Sequence, residues 1–385
     1  MPHVKVHSIL LLISFLALKH AAVLAYELPE EPGEEAHSSN PAFIVELGGE
    51  SFYSLDLPAG KGMGGLAAIM IDVDVRISQR FWVFGAFHFD SSVWYDYMNR
   101  PAFLREEEGF AYDVELEVEE FFATWSPVPD RISFSAGRMF SVVSYANQLH
   151  LADFQFNMKP RIFTDYFGSN HGLAVDGMAA RFCREGRVAR TSLFVEAAKN
   201  GFEGEDLVLT TTLDAAFDMG SLRFGLRGFQ YFDHQGGDHP LFIYLPQADT
   251  FQPSYREGLR MNALGGGINL WWDLPWTESL FIQAEGVSRK LGGESLHGAY
   301  AFAILAHSPK LESSFMFQQL DIPVWSGDEG MADFGTHRER AYTAGLSYYP
   351  AEIHRLRVEY SRHTNSPFYD RMILAKWTFF IDLTR

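Results

Sequence analysis

The chain has 385 residues, 47% hydrophobic and 15% aromatic, with a mean hydropathy near zero and a formal net charge of −18. That acidity argues against nucleic acid as a partner, and the single cysteine, Cys183, rules out an internal disulfide. Many aromatics at near-zero hydropathy suit strands in which every second residue is polar better than apolar helices.

Lys5 precedes an apolar run from Ile9 to Leu18, and Val23-Leu24-Ala25 offers a cleavage site. This predicts a secretory signal peptide over 1–25. No other stretch approaches the roughly 20 apolar residues of a membrane helix. Cleavage would remove Lys5 and Lys19 and leave about −20. Residues 26–40, YELPEEPGEEAHSSN, are rich in Pro, Gly, Ser and Glu and predict a disordered acidic leader, too short for a plug domain.

From residue 41 to 385 the pattern predicts an all-β fold, a transmembrane antiparallel β-barrel of about 16 strands. Ile69, Ile71, Val73, Val75 and Ile77 alternate with Met70, Asp72, Asp74 and Arg76. Phe81, Val83, Phe87 and Phe89 carry the apolar face back after a turn at 78–80. Val114, Leu116 and Val118 alternate with Glu115, Glu117 and Glu119, and Pro127 and Pro129 close that hairpin. At the far end Ile373, Ala375, Trp377, Phe379, Ile381 and Leu383 share one face, opposite Lys376, Thr378 and Asp382. Such strands put apolar side chains towards lipid and polar ones inward.

Connections alternate in length. Short ones are expected at 78–80, 126–131, 185–187, 218–221, 273–278, 308–310 and 350–354. Long ones are expected at 95–111, 142–170, 200–206, 233–260, 320–336 and 364–370. Periplasmic turns are short and outer loops long in barrels of this kind. Trp82, Trp125, Trp271, Trp272 and Tyr349 sit beside short turns, and Trp94 and Tyr95 beside a long loop, as aromatic girdles require. A β-propeller would show a repeat of about 40–50 residues, which is absent. A sandwich would need more polar outward faces.

The loop 142–170 carries Leu149, Leu151, Phe154, Phe156, Ile162, Phe163 and Phe167, too many apolar groups to lie in water, so it is expected to pack inside the barrel. Here the run Gly137-Arg138, Asn147, His150, Asp153, Lys159-Pro160-Arg161, Gly168, Gly172 and Asp176-Gly177 resembles the third-loop region of Gram-negative outer-membrane porins. It is most similar to the phosphate-selective-porin-like group. The resemblance implies an inward-folded third loop that narrows a channel, with Asn147, His150, Asp153, Lys159, Arg161 and Asp165 at the constriction. It also implies an outer-membrane location, the barrel-insertion machinery as a partner, and a homotrimer as a possible assembly. The chain departs from the barrel pattern in ending at Arg385 rather than on an aromatic residue.

Alternation aims Glu115, Glu117, Glu119, Arg223, Arg227, Arg355, Arg357 and Glu359 into the lumen, where acidic and basic walls would favour dipolar hydrophilic solutes. The same alternation aims Arg138 outward unless a bulge intervenes. His234 and His239 lie near Asp233 and Asp238, and His150 and His171 flank the inward loop, but none shows metal-ligand spacing. No metal and no cofactor is called for. Ser144, His150 and Asn147 are the weak candidate for hydrolytic chemistry on lipid, and no catalytic residue is assigned. The expected function is passive diffusion of small hydrophilic solutes or ions across the outer membrane. An adhesion or envelope-structural barrel is the alternative, and a lipid-acting barrel enzyme a more distant one.

Overall fold

The computed structural model describes residues 42–58, 60–91, 114–148, 156–157, 160, 162, 174–186, 189–200, 207–233, 237–245, 250–259, 261–291, 294–325, 334–351, 353–364 and 371–383. The expected signal peptide and acidic leader lie outside these residues. The strands are β1 (Ala42–Asp56), β2 (Lys61–Ser78), β3 (Phe81–Ser91), β4 (Val114–Val128), β5 (Ile132–Phe140), β6 (Ala174–Glu185), β7 (Ala189–Asn200), β8 (Leu207–Asp218) and β9 (Leu222–Asp233). They continue as β10 (Gly237–Leu245), β11 (Thr250–Leu259), β12 (Met261–Asp273), β13 (Ser279–Leu291), β14 (Glu294–Ser308), β15 (Leu311–Trp325), β16 (Phe334–Ala351), β17 (His354–Thr364) and β18 (Arg371–Asp382).

Sixteen of these form one closed antiparallel sheet. Each of β1 to β8 pairs with the next, β9 pairs with β12, the ladder runs on to β18, and β18 closes on β1 through Glu46↔Asp382 to Asp56↔Met372. Closure leaves no unpaired sheet edge, the condition for crossing hydrocarbon with strands. The two remaining strands, β10 and β11, pair with each other inside the long connection 233–260, and β10 touches β15 at Tyr244↔Val324.

The alternation is plain in β8. Leu209 and Leu213 are exposed outside, while Thr210, Thr212 and Asp214 are fully buried inside. In β18, Trp377 and Ile381 face out and Lys376 and Thr378 face in. One bulge resets the register. Between β3 and β4, Ala86 pairs with Glu120 and Phe87 with Val118, so Glu119 is the extra residue. Both Glu119 and Glu120 are buried inside, and the outward set passes from Leu116 and Val118 to Phe121 and Trp125.

Several sequence expectations need correction. Pro127 lies within β4 rather than in its closing turn, and the turn occupies 129–131. Asp321 pairs with Arg338 and Pro323 with Thr336, so the expected long connection 320–336 shrinks to 326–333. The connection 233–260 contains a hairpin rather than irregular loop. Trp125 and Trp272 belong to the outward girdle, but Trp82, Trp271 and Tyr349 have inward parity: Trp82 lines a cavity, Trp271 packs on the interior cluster, and Tyr349 Oη donates to Glu312 at 2.8 Å. Proximity to a turn does not fix which face a residue occupies.

Candidate functional site

The interior is where polar side chains converge, and the segment after β5 is where they meet the chain again. Gly137, at φ +131°, precedes the exit of β5; an added Cβ there would stand 2.2 Å from the Phe121 carbonyl oxygen, so only glycine fits. Arg138 keeps its outward parity without a bulge and pairs with Asp176 on β6 at 3.6 Å. The Phe140 amide then donates to Glu120 at 2.8 Å.

Residues 141–147 are all buried. Ser141 Oγ donates to Glu196 of β7 at 2.7 Å, and Thr212 of β8 donates to the Val142 carbonyl at 2.8 Å. Ser144 Oγ donates to Glu285 of β13 at 2.6 Å, and the Tyr145 amide donates to the same carboxylate at 3.0 Å. Tyr300 of β14 donates to Glu285 as well. A single 3-10 turn, Ala146–Gln148, follows. Further on, the Asn157 amide donates to Glu359 of β17 at 2.8 Å, and Asn157 Nδ2 to the Leu374 carbonyl of β18 at 3.1 Å. Phe156 meets Phe302 of β14 edge-on at 5.3 Å. These anchors lie on walls far apart around the sheet: β7 and β8, β13 and β14, β17 and β18.

An apolar cluster fills the space beside them, including Phe156, Ile162, Phe281, Tyr300, Phe302, Met316 and Leu320. On the other side, towards the short turns of β2 to β7, a cavity of about 760 Å³ remains. Met139, Phe140 and Val142 border it; Arg76, Arg131, Arg181 and Arg190 line it with Asp74, Glu120 and Asp130, and Trp82, Phe122 and Phe194 supply apolar wall. Arg181 lies over the Phe194 ring at 5.4 Å. Arg76 belongs to the polar face already read in β2; Arg131, Arg181 and Arg190 escaped the sequence reading, although inward parity in β6 and β7 was an available signal for the last two.

The sequence-predicted residues fall as follows. Asn147 is buried, and its Nδ2 donates to the Ser141 carbonyl at 2.6 Å. His150, Asp153, Lys159, Arg161 and Asp165 lie outside the described residues, as does most of the expected inward loop. Glu115 and Glu117 are strand residues of β4 whose side chains are not among those described. Glu119 is buried and 2.7 Å from His88. Arg227 makes a two-pronged pair with Asp214, both contacts 2.6 Å, and covers the Tyr145 ring at 4.1 Å. Arg223 stands 3.9 Å from Asp273 and over Trp271. Arg357 is buried and donates to Ser347 at 2.9 Å; Arg355 is half-buried beside it in sequence; Glu359 holds Asn157. Two further pairs were not foreseen: Lys376 with Glu50 at 2.6 Å across the closing seam, and His363 with Glu339 at 3.3 Å. At Arg227–Asp214 and His88–Glu119 the expected separation of acidic and basic walls gives way to local pairing. Burial favours this, because an isolated charge there would lose its hydration without compensation.

Ser144 is fully buried and committed to Glu285, and Asn147 to Ser141, so neither stands on the lipid face as a lipid hydrolase would need. Among the described residues no group of three or more His, Cys, Asp or Glu could hold a metal ion.

The chain matches no protein-family model, and no curated protein matches it in sequence. Solved structures do match its fold. OprB of Pseudomonas putida aligns at TM-score 0.60 and 9% identity, over 90% of this chain and 94% of that one. The trimer form of OmpT, an outer-membrane protein of Vibrio cholerae, aligns at 0.53 and 10% identity, over 89% and 99%. An anion-selective porin from Comamonas acidovorans aligns at 0.52 and 9% identity, over 89% and 99%. The common ground is the porin-like 16-strand barrel fold.

Proposed function

We propose that the chain is an outer-membrane porin, through which small hydrophilic solutes or ions diffuse passively, narrowed by the segment 142–170. The observation that carries this reading is the inward anchoring of the described part of that segment, held at Glu196, Glu285 and Glu359 on separate walls of a closed barrel. A 16-strand barrel is wide enough for water unless something fills it, and a segment fastened across the lumen sets the bore. The porin neighbours support the same reading through their shared fold. The motif from Gly137 to Gly177 supports placement in the phosphate-selective-porin-like group. The four arginines of the cavity support anions among the solutes, against the acidic balance of the whole chain. OmpT of Vibrio cholerae has been solved in a trimer form, and a homotrimer is the assembly proposed here.

The test is single-channel conductance in a planar bilayer. Stepwise openings are expected, and deletion of residues 148–166 should enlarge them. A deletion that leaves the conductance unchanged removes the constriction, though not the barrel. The apolar packing around Phe156, Phe281 and Phe302 favours a second reading, an envelope-structural or adhesion barrel with a filled interior. A stably inserted protein that never conducts would decide for it.

A further inference from the structure

The cavity beside the inward segment has two chemically different ends. Its walls are inward faces of β2 to β7, and cross-strand pairing sets Arg76 beside Trp82, Trp82 beside Thr124, and Arg181 beside Phe194. The short-turn end is made by Ser78, Gln79, Pro129, Asp130 and Arg131. At the other end Met139, Phe140 and Val142 form a roof where β5 runs into the segment. Phe122 of β4 joins them and packs on Phe84 at 5.6 Å. Glu120 also borders this end, and it accepts the Phe140 amide at 2.8 Å.

The basic groups lie towards the turns. Arg131 is in the turn between β4 and β5, Arg76 comes two residues before the end of β2, and Arg190 is the second residue of β7. Arg181 lies over the Phe194 ring at 5.4 Å. Stacking occupies the flat face of a guanidinium and leaves its N–H edge for a planar acceptor. Arg76 pairs with Asp74 at 3.0 Å, yet its side chain is 51% exposed. A guanidinium carries more N–H donors than one carboxylate can engage, so an arginine can grip a ligand oxygen while it keeps a protein partner. Among the described lining residues four arginines, Arg76, Arg131, Arg181 and Arg190, face three carboxylates, Asp74, Glu120 and Asp130. The excess is one positive charge, which suits a monoanion.

We infer that this cavity binds a monocarboxylate with an aromatic body, its head towards the arginines and its ring against the roof. Glu120 repels the head from the roof end, and Trp82, Phe122 and Phe140 offer rings on which the body packs. The volume, about 760 Å³, falls within the roughly 300–1,000 Å³ of small-molecule sites. Inorganic phosphate has no apolar surface to bury against these walls. The assignment of this class as a transported solute rests on the channel reading; occupancy of the cavity does not need conduction.

Cys183, the single cysteine of the chain, lines the cavity on β6 and reports its occupancy. The full chain is folded in an uncharged maltoside detergent and treated with methyl methanethiosulfonate, a small neutral thiol reagent, at rising 3-phenylpropanoate. Cys183 should react in the free chain, and saturating 3-phenylpropanoate should slow the reaction by about tenfold or more. At the same concentration 3-phenylpropanamide, acetate and inorganic phosphate should each slow it by less than about twofold. R181Q/R190Q should raise the half-protecting concentration by about tenfold or more, the loss expected for one two-pronged contact. If the double variant does not fold, Arg76→Gln takes its place and should raise that concentration by about threefold or more. Arg340→Gln, exposed on β16 and outside the cavity, should leave it within about twofold. An unreactive Cys183 in the free chain, no protection, equal protection by the amide, acetate or phosphate, or unchanged protection in the cavity-arginine variant would each overturn the inference. Conductance is a separate arm: conduction without protection overturns the site and keeps the channel, and protection without conduction keeps the site and removes the channel.

Discussion

Replacing Glu285 with alanine should release the first part of the inward segment. The carboxylate receives Ser144 Oγ, the Tyr145 amide and Tyr300 Oη, all buried. Each donor left without a partner costs about 1–3 kcal/mol. Water entering the space the carboxylate leaves brings the total to the lower end, about 3 kcal/mol, or roughly a hundredfold in the local docking equilibrium. Ser141 and Val142 keep their bonds to Glu196 and Thr212, so the change should be local opening rather than loss of the barrel. Two assays report it. Amide hydrogen exchange at Tyr145 should speed by about a hundredfold. Single-channel recordings should show added brief openings of higher conductance. Glu285→Gln keeps an acceptor oxygen for the Tyr145 amide and should have about half the effect. Unaltered exchange and unaltered conductance in the alanine variant would falsify the claim that Glu285 pins the segment.

Asp214→Ala should cost about 3–5 kcal/mol of unfolding free energy by leaving Arg227 buried and unpaired, whereas D214L/R227M should be near neutral; equal losses in the two variants would show that the pair does not act as a unit. Ile268→Arg, on the outward face at the middle of β12, should cost about 2–4 kcal/mol in vesicles, and I268L under about 1.5. An arginine tolerated there as well as leucine would mean that this face meets water rather than hydrocarbon. Gly137→Ala should cost about 1–3 kcal/mol in backbone strain, and more from its clash with the Phe121 carbonyl; parental stability would contradict the geometry.

Much of this architecture was legible from alternation alone. The runs Ile69 to Ile77 and Ile373 to Leu383 declare an apolar face and a polar one, and in a barrel each residue's face follows from parity once the register is known. The same arithmetic placed Arg227, Arg357 and Glu359 inside before any coordinates. It failed at three kinds of place. A proline in a strand end reads as a turn, which hid the length of β4. A tryptophan near a turn reads as girdle on either face, which misplaced Trp82 and Trp271. A bulge shifts parity by one, so the inward burial of Glu120 beside Glu119 could not be foretold from β4 by itself.

The sequence by itself determined the solvent of each face, because a side-chain period of two is a local property of the backbone. Tertiary structure decided who meets whom. Glu285 lies 140 residues from Tyr145, and Glu359 lies 202 residues from Asn157, yet each closes a hydrogen bond inside the barrel. Contacts at that separation depend on strand order, shear and closure, which no short stretch of chain encodes.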